Sequence, residues 1–542
     1  MKKPFAITLD VSTSLANHTG SWRTSRPVYV HRLPPCNDAC PAGENIQGWL
    51  NKAEEGDYEA AWRILVRDNP MPAVHGRVCY HPCESACNRA RLDAAVSIHA
   101  VERFLGDEAL KRGWMVPPGA DTGKKVLIIG AGPSGLSAAW HLRLMGHAVD
   151  VIEAGAKAGG MLRYGIPRYR LPREVLDGEI ARIAAMGVNF TFNHKVEDLG
   201  ALMAEKGHDA AFVAIGAHLA RRTNIPARDA GRILDAVSLL HAVEDGAPPP
   251  LMGRKVVVYG GGNTALDAAR TARRLGAQDA VIVYRRTREQ MPAHEEEMRE
   301  AEEEGVRVNW LRTIKEVDEG EILIEKMRLN DDGWPEPTGE YEKIAGDMVV
   351  LALGQQTESD FLARLDGVEF DRNGVVKVDA SMMTGHPGVF AGGDMVPSER
   401  TVTVATGHGK AAARNIGAYV QGRTWRHPER PELARFELLN TWYYDDAPAT
   451  VQPELDLARR QATFEEVVKG LDESNALFEA RRCLSCGNCF ECDNCYGVCP
   501  DNAVKKLGPG KGYVFDYDFC KGCGLCAEEC PCGAIAMVPE EG

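Results

Sequence analysis

The sequence predicts a multidomain fold in which two cysteine-rich ends enclose two α/β units of the Rossmann type. Three observations lead to this prediction. All sixteen cysteines fall between Cys36 and Cys87 or between Cys483 and Cys532. An apolar strand, a glycine-rich turn and a helical pattern follow one another at 125–145 and again at 255–275. The 542 residues are enough for about three to five domains.

The predicted boundaries follow from these signatures. Helical periodicity, as at 46–66, predicts a helical N-terminal domain. The segment PPPLMG at 248–253 is typical of a linker, and VFAGGD at 389–394 is typical of a return to the first α/β unit, so the second unit is inserted in the first. The predicted parts are the helical domain (1–118), the first α/β unit (119–247 and 356–425), the second α/β unit (248–355), a connector (426–482) and a cysteine-dense C-terminal domain (483–542).

Charge and hydropathy exclude two classes of partner. The chain has 63 basic and 77 acidic residues and a net charge of -14, which repels phosphate backbones and anionic lipid, so we expect neither nucleic acid nor membrane binding. No apolar run reaches the roughly 18 residues of a spanning helix, and residues 1–20 lack the apolar core of a signal peptide. We expect a cytoplasmic protein whose partner has a basic docking face.

The first α/β unit carries a dinucleotide-binding pattern. Gly130, Gly132 and Gly135 follow an apolar strand and open a helix, which places a pyrophosphate at the helix N-terminus. Glu153 ends the next strand, where an acid bonds ribose hydroxyls. The glycines alone are also compatible with a simple tight turn, but the complete order of strand, glycines, helix, strand and acid favours a dinucleotide site.

Two later features indicate that this dinucleotide is FAD. Gly160 lies in the glycine-rich AGGMLRYGIP and is a further candidate contact. Asp394 in AGGD precedes another helical pattern, which would place an acid on the flavin ribitol and a helix N-terminus near the ring.

The second α/β unit favours NADP(H). Gly260 and Gly262 occupy the turn, and Ala265 is small enough for the packing role of the third glycine. Aligning VDVIE with VIVYR puts Arg285 at the position of Glu153, so Arg285 and Arg286 offer cations to a 2'-phosphate. The alternative is that both arginines are a solvated strand end.

The outlet for electrons is not a disulfide. No cysteine lies between residues 88 and 482, so the predicted flavin has no neighbouring pair for thiol–disulfide relay. No side chain is marked as a catalytic acid or base. The cysteine-rich ends are therefore the predicted electron path.

The C-terminal cysteines match the two-cluster bacterial ferredoxin pattern, in which the fourth cysteine of each run ligates the other cluster. This predicts an α+β ferredoxin-like domain with two 4Fe-4S clusters, whereas zinc in paired C-x2-C knuckles is the alternative. We predict that Cys532 is unligated. The predicted ligands are Cys489, Cys492, Cys495 and Cys530 for one cluster, and Cys499, Cys520, Cys523 and Cys526 for the other.

Residues 30–420 resemble the small subunit of NADPH-dependent glutamate synthase and its relatives, including the flavin half of dihydropyrimidine dehydrogenase. The matching strings include PPCNDACPAGENIQGWL, GRVCYHPCESAC, IGAGPSGLSAAW, GGNTALDAAR, YRRTREQMPA and AGGD. The C-terminal module makes the chain similar to a sub-branch that serves 2-oxoacid:ferredoxin oxidoreductases, benzoyl-CoA reduction or dissimilatory sulfite reductase.

The resemblance implies two clusters in the N-terminal domain. Carried over to this chain, one uses Cys40, Cys79, Cys83 and the non-thiolate ligand Glu102, although Glu102 is also compatible with an ordinary helix-surface acid. The other cluster lacks its usual upstream C-x2-C pair ahead of Cys36. We predict that Cys483 and Cys486 complete this site with Cys36 and Cys87, the alternatives being a lost or differently ligated cluster.

These predictions describe an iron–sulfur flavoprotein that exchanges electrons between NADP(H), FAD and four 4Fe-4S clusters. The acceptor is a ferredoxin or a partner redox-enzyme subunit, so we expect a hetero-oligomer, and the reverse electron flow is equally allowed. Two alternatives are a true glutamate synthase small subunit and a non-catalytic cluster scaffold.

Overall fold

The computed structural model of the protein describes residues 18–220, 225–226, 232–371 and 374–540. Residues 1–17, where the sequence predicts no signal-peptide core, lie outside this part. Among the described residues, no helix combines the length and apolar character needed to cross a membrane.

The N-terminal domain is helical after one strand. The helices pack around fully buried Trp49 and Trp62, and the pattern at 46–66 forms two helices because Gly56, at φ +80°, breaks it. Asn45 and Asp57 cap these two helices through their side chains. The elements are β1 (Ser25–Tyr29), α1 (Pro35–Ala39), α2 (Ile46–Glu54), α3 (Tyr58–Leu65), α4 (Pro72–Val78), α5 (Pro82–Ser85) and α6 (Ile98–Arg112).

The first α/β unit is built on a five-stranded parallel sheet. Its apolar central strands are buried on both faces, as parallel sheets require. The elements up to the insertion are β2 (Lys125–Ile129), α7 (Pro133–Leu144), β3 (Ala148–Ile152), α8 (Met161–Tyr164), α9 (Arg173–Ala185), β4 (Val188–Thr191), α10 (Leu199–Lys206), β5 (Ala210–Val213) and β6 (Leu219–Ala220).

The second α/β unit has its own five-stranded parallel sheet and a three-stranded antiparallel sheet. Its elements are β7 (Arg232–Asp235), α11 (Ala236–Glu244), β8 (Lys255–Tyr259), α12 (Asn263–Arg274), β9 (Asp279–Tyr284), α13 (Glu295–Glu303), β10 (Arg307–Trp310), β11 (Arg312–Val317), β12 (Glu321–Leu329), β13 (Pro335–Ala345), β14 (Met348–Leu351) and β15 (Gln355–Gln356).

The strand orders show how the two units are connected. The parallel sheet of the second unit has the order β10-β9-β8-β14-β7. The chain then re-enters the first sheet through β16 (Val389–Ala391), which gives the order β16-β5-β2-β3-β4 there, and continues into α14 (Val402–Tyr419). β6 pairs antiparallel with β15 at the place where the chain leaves the first unit and returns to it.

The boundary predicted at residue 248 is wrong by one strand and one helix. β7 pairs with β14 in the second sheet, and α11 packs against α12, so this segment belongs to the second unit. PPPLMG is a loop inside that unit, and nothing in its composition distinguishes such a loop from a linker between domains.

The rest of the chain returns to the N-terminal domain. In 426–482, α15 (Leu457–Ala462) packs on α12, and α16 (Glu473–Arg481) packs on α2 and α6. The cysteine-dense end contains α17 (Asn494–Val498), β17 (Val504–Lys506), β18 (Tyr513–Phe515), α18 (Leu525–Glu528) and β19 (Ile535–Pro539). β19 pairs antiparallel with β1. The assignment of all of 1–118 to the helical domain is therefore wrong for β1, which completes a sheet of the C-terminal module.

Candidate active site and metal centres

The first glycine-rich turn joins β2 to α7. Gly130 has φ +101°, and a Cβ on this residue would lie 2.5 Å from the Ala214 carbonyl oxygen. A Cβ on Gly135 would lie 2.0 Å from the Gly130 oxygen. Gly132 and Gly160 also lie close together, since a Cβ on Gly160 would be 2.9 Å from Gly132 Cα. Larger side chains would close this cradle at the N-terminus of α7, which fits a pyrophosphate.

Glu153 follows β3 and is held by the backbone around the turn. Its two carboxylate oxygens accept hydrogen bonds from Ala131 N at 2.8 Å and Gly155 N at 2.7 Å. Each oxygen keeps acceptor capacity for a ribose hydroxyl. Glu153 lines a cavity of about 340 Å³ together with Gly130, Gly132 and Gly160.

Asp394 and Ala405, which lies in the first turn of α14, also line this cavity. Burial raises the pKa of Asp394, and nearby Arg400 opposes the shift. Thr401 caps α14, its hydroxyl accepting from Val404 N at 3.2 Å. Acid, glycine cradle and helix N-terminus are the donor set that a flavin dinucleotide requires.

The second glycine-rich turn lines a larger cavity of about 810 Å³. Gly260 is at φ +152°, and a Cβ there would lie 2.3 Å from the Ala352 oxygen, whereas a Cβ on Gly262 would meet nothing within 4 Å. Ala265 is fully buried in α12. The backbone at Gly262 is thus open to a phosphate at the start of α12.

The structure corrects the alignment of the two units by one residue. Ile129 pairs with Ile152 in the first sheet, and the equivalent Tyr259 pairs with Val283 in the second. Tyr284, not Arg285, therefore occupies the position of Glu153. The Tyr284 ring packs on the turn, since a Cβ on Gly261 would lie 2.4 Å from it. The string comparison missed this because β9 has six residues whereas β3 has five, so aligning the two strand ends shifts the comparison by one residue.

Both arginines nevertheless lie at this cavity. Arg285 is exposed and Arg286 is half-buried, and both line the cavity wall. The Arg286 guanidinium carbon lies 4.9 Å from the centre of the Trp334 ring, and its Nε has no hydrogen-bond partner in the described part of the chain. Two cations therefore line the cavity at this strand end, which fits a 2'-phosphate.

The two cavities adjoin each other and the N-terminal domain. They share the wall residues Pro133, Met161, Val237, Asp394 and Ala405. Val78 and Tyr80 line the larger cavity from the end of α4. The Tyr80 hydroxyl accepts a hydrogen bond from the Asn263 side chain at the start of α12. Cys79 lies between Val78 and Tyr80 in the sequence.

Cys40, Cys79 and Cys83 form one group next to this wall, in which Cys83 is buried and the other two are half-buried. Burial raises the pKa of Cys79 to about 12. Burial also raises the pKa of Cys83, and the neighbouring Glu84, Cys79 and Cys40 raise it further. Thiols this far from water become anionic when a metal replaces their protons, which is the chemistry of a cluster ligand.

Glu102 belongs to the same group and is not a surface acid. Glu102 is 6 % exposed. Burial raises the pKa of its carboxyl well above the usual range, and the nearby charge of Glu44 raises it further. Asn69 Nδ2 donates to Glu102 Oε1 at 2.7 Å and to Glu44 Oε1 at 3.0 Å. Sequence reasoning missed Asn69 and Glu44 because buried polar residues carry no spacing signal.

Cys36, Cys87, Cys483 and Cys486 line one small cavity. Burial raises the pKa of Cys36, and Cys483, Cys87 and Cys486 raise it further. Asn88 Nδ2 donates to Cys486 Sγ at 3.4 Å. The structure thus brings the two ends of the chain together at four thiols.

The ferredoxin-type cysteines form two groups in the C-terminal module. Cys499, Cys520, Cys523 and Cys526 line one cavity. Burial raises the pKa of Cys492, and the neighbouring thiols of Cys530 and Cys489 raise it further. The Tyr29 hydroxyl of β1 and Cys495 Sγ are hydrogen-bonded at 3.3 Å. Cys532 Sγ lies 3.8 Å from Cys530 Sγ.

Three family models match the chain. The pyridine nucleotide-disulphide oxidoreductase model covers residues 120–409. The model of dihydropyrimidine dehydrogenase domain II, a 4Fe-4S cluster domain, covers 10–114. The 4Fe-4S dicluster domain model covers 488–534. These matches confirm the predicted series of an iron–sulfur domain, a Rossmann-type oxidoreductase region and a ferredoxin-like end.

Curated relatives cover most of the chain. The beta subunit of NADP(+)-dependent formate dehydrogenase from Moorella thermoacetica is 37 % identical over 83 % of this chain and 70 % of that protein. The beta subunit of NADPH-Fe(3+) oxidoreductase from Geobacter sulfurreducens is 33 % identical over 85 % of this chain and 77 % of that protein. The glutamate synthase [NADPH] small chain from Azospirillum brasilense is 34 % identical over 72 % of this chain and 87 % of that protein.

The resemblance predicted from the sequence is therefore confirmed. The oxidoreductase model spans more than half of the chain, and these relatives match 83 %, 85 % and 72 % of it. The chain belongs to the pyridine nucleotide-disulphide oxidoreductase family, among the iron–sulfur flavoproteins related to the glutamate synthase small chain.

Proposed function

We propose that this protein is an NADPH:acceptor oxidoreductase that passes electrons from a bound FAD through four 4Fe-4S clusters to a partner redox subunit. One observation carries the proposal. Part of the wall of the nucleotide cavity is formed by Val78 and Tyr80, the two sequence neighbours of Cys79. This arrangement supports hydride chemistry on one side of the short segment 78–80 and one-electron chemistry on the other.

The residues of the chain position the nucleotides. FAD in the smaller cavity supplies hydride acceptance and single-electron release. NADPH loses one hydride, which carries two electrons and one proton, and leaves as NADP⁺. A flavin held there would let the two electrons leave one at a time to the clusters, and the proton would go to solvent. Gly262 and the start of α12 would hold the pyrophosphate of NADPH, and Arg285 and Arg286 would hold its 2'-phosphate. Met161 and Ala405 line both cavities and would contact both nucleotides.

We assign the thiols to four clusters. Asn69 fixes one oxygen of Glu102 and leaves the other for iron, as neighbours of metal ligands commonly do. The N-terminal ligands are Cys40, Cys79, Cys83 and Glu102 for the first cluster, and Cys36, Cys87, Cys483 and Cys486 for the second. The ferredoxin-type ligands are Cys489, Cys492, Cys495 and Cys530 for the third, and Cys499, Cys520, Cys523 and Cys526 for the fourth.

Chain connectivity orders these clusters. The first lies beside the nucleotide cavity. The second interleaves with it, because Cys36 and Cys40 are one helical turn apart, as are Cys83 and Cys87. The third follows directly, because Cys486 and Cys489 are separated by two residues. The proposed path therefore leads from the flavin to the C-terminal module, where Cys489, Cys492 and Cys523 are exposed.

The relatives support a partner subunit, because two of them are named as beta subunits. We propose that the partner is a larger redox enzyme or a ferredoxin with a basic docking face, given the net charge of -14. The cytoplasmic location stays a prediction.

Composition and reduction test the proposal together. Protein purified without oxygen should hold one FAD and about sixteen irons, four for each cluster, and NADPH should bleach both the flavin and the cluster absorbance. An iron content of only about eight would show that the two proposed N-terminal clusters are absent. A flavin that NADPH does not reduce would contradict the proposed function.

A further inference from the structure

We propose that Thr403 of α14 is a positioning residue for the first electron transfer, because its hydroxyl binds the Cys79 thiolate and raises the reduction potential of the first cluster. The inference rests on the proposed function. Thr403 Oγ1 donates to Cys79 Sγ at 3.0 Å. Thr403 is 4 % exposed, so water does not compete for this bond.

The place of Thr403 in its helix makes the hydroxyl available. Threonine inside a helix commonly bonds the carbonyl four residues earlier. Thr403 follows the cap residue Thr401 by two positions, so residue 399 is not yet helical and offers no such carbonyl. The hydroxyl is therefore directed to the thiol.

The same turn of α14 contacts the cofactor cavities and the cluster. Val402 and Ala405 line the nucleotide cavities, while Thr403 lies a third of a turn away, toward Cys79. Thr406, one turn on, bonds His75 Nε2 at 3.0 Å, and His75 Nδ1 bonds Asn69 Oδ1 at 2.6 Å. Asn69 in turn holds Glu102. One helix face thus reaches two proposed ligands of the same cluster.

A hydrogen bond to a ligand sulfur stabilises the reduced cluster, which carries one more negative charge. Without the hydroxyl, the ratio of reduced to oxidised first cluster at a fixed potential should fall up to about tenfold, a shift of ~59 mV for one electron.

The experiment is a redox titration followed by electron paramagnetic resonance on the cluster-loaded protein. Thr403→Val, which replaces a hydroxyl by a methyl of similar size, should lower the potential of one cluster signal, the signal that Cys79→Ser removes. Thr403→Ser keeps the hydroxyl and should keep the potential. Tyr29→Phe is the matched control, because it removes a hydroxyl from Cys495 and should move only a ferredoxin-type signal.

The outcomes separate this inference from the proposed function. An unchanged potential in Thr403→Val with full iron content would overturn the role of Thr403 and leave the cluster assignment standing. An equal shift in Thr403→Ser would overturn it too, because packing rather than the hydroxyl would then be the cause. Wild-type protein without an N-terminal cluster signal would instead show that the proposed function is wrong.

Discussion

The two thiol-rich regions of this molecule are assembled in opposite ways. In the C-terminal module, all eight ferredoxin-type cysteines lie within 489–530 and three of them are exposed. In the N-terminal region, Cys36 and Cys87 lie in one cavity with Cys483 and Cys486 from the far end of the chain. A cluster in the module could form from local chain, whereas the proposed cluster at the junction of Cys36, Cys87, Cys483 and Cys486 would require both ends to meet first. Metal binding at this junction would stabilise domain docking, because the ligands are distant in sequence.

The largest effect is expected when the junction is broken. Replacing Cys483 and Cys486 together with Ser should remove about four irons, measured by iron analysis of anaerobically purified protein, and should speed proteolysis of the C-terminal module. The module should loosen without detaching, because β1 still pairs with β19 and Arg482 still binds Asp93 and Glu479. Hydride transfer from NADPH to the flavin should persist.

Cys532→Ser is the control for this variant, since Cys532 is buried beside the same segment and belongs to no proposed cluster. Full iron content in the double variant, or equal iron loss in Cys532→Ser, would disprove the shared cluster.

A smaller effect is expected at the carboxylates beside the first cluster. Glu102 and Glu44 are both buried and both bonded to Asn69, yet only Glu102 is a proposed ligand. Glu102→Leu should lose or convert one cluster, while Glu102→Gln, which keeps an oxygen donor, should retain it. Glu44→Leu should keep the iron content of the wild type. Iron analysis and cluster spectra show which of the two carboxylates is a ligand. A loss of iron in Glu44→Leu alone would indicate that Glu44, not Glu102, is the ligand.

The smallest predicted effect concerns coenzyme choice. A charge-assisted bond from Arg285 to the 2'-phosphate contributes roughly 1.5 to 3 kcal/mol. Arg285→Ala should therefore raise the Michaelis constant for NADPH about tenfold or more and leave that for NADH nearly unchanged. Arg307→Ala is the matched control, because Arg307 belongs to the same unit but pairs with Asp279 at the surface. Equal losses with both coenzymes would make Arg285 structural.

Local motifs were predictable from the sequence, and contacts between distant segments were largely not. The strand–glycine–helix order and the doubled ferredoxin spacing express short-range geometry, so they predicted both nucleotide units and the C-terminal module. The pairing of β1 with β19 and the bond from Thr403 to Cys79 join segments hundreds of residues apart, and no spacing encodes them. The one-residue error at Tyr284 shows a limit of string comparison, because only the hydrogen-bond register identifies equivalent positions.

The central claim is that electrons enter the cluster chain at Cys79. Rapid mixing of the Cys79→Ser protein with NADPH, followed by freezing and electron paramagnetic resonance, tests it most directly. Flavin reduction at the wild-type rate serves as the internal control for an intact nucleotide site. The ferredoxin-type clusters should then stay oxidised for a time in which the wild type completes many turnovers. Their reduction at the wild-type rate would show that electrons reach the C-terminal module without the first cluster, and would contradict the account.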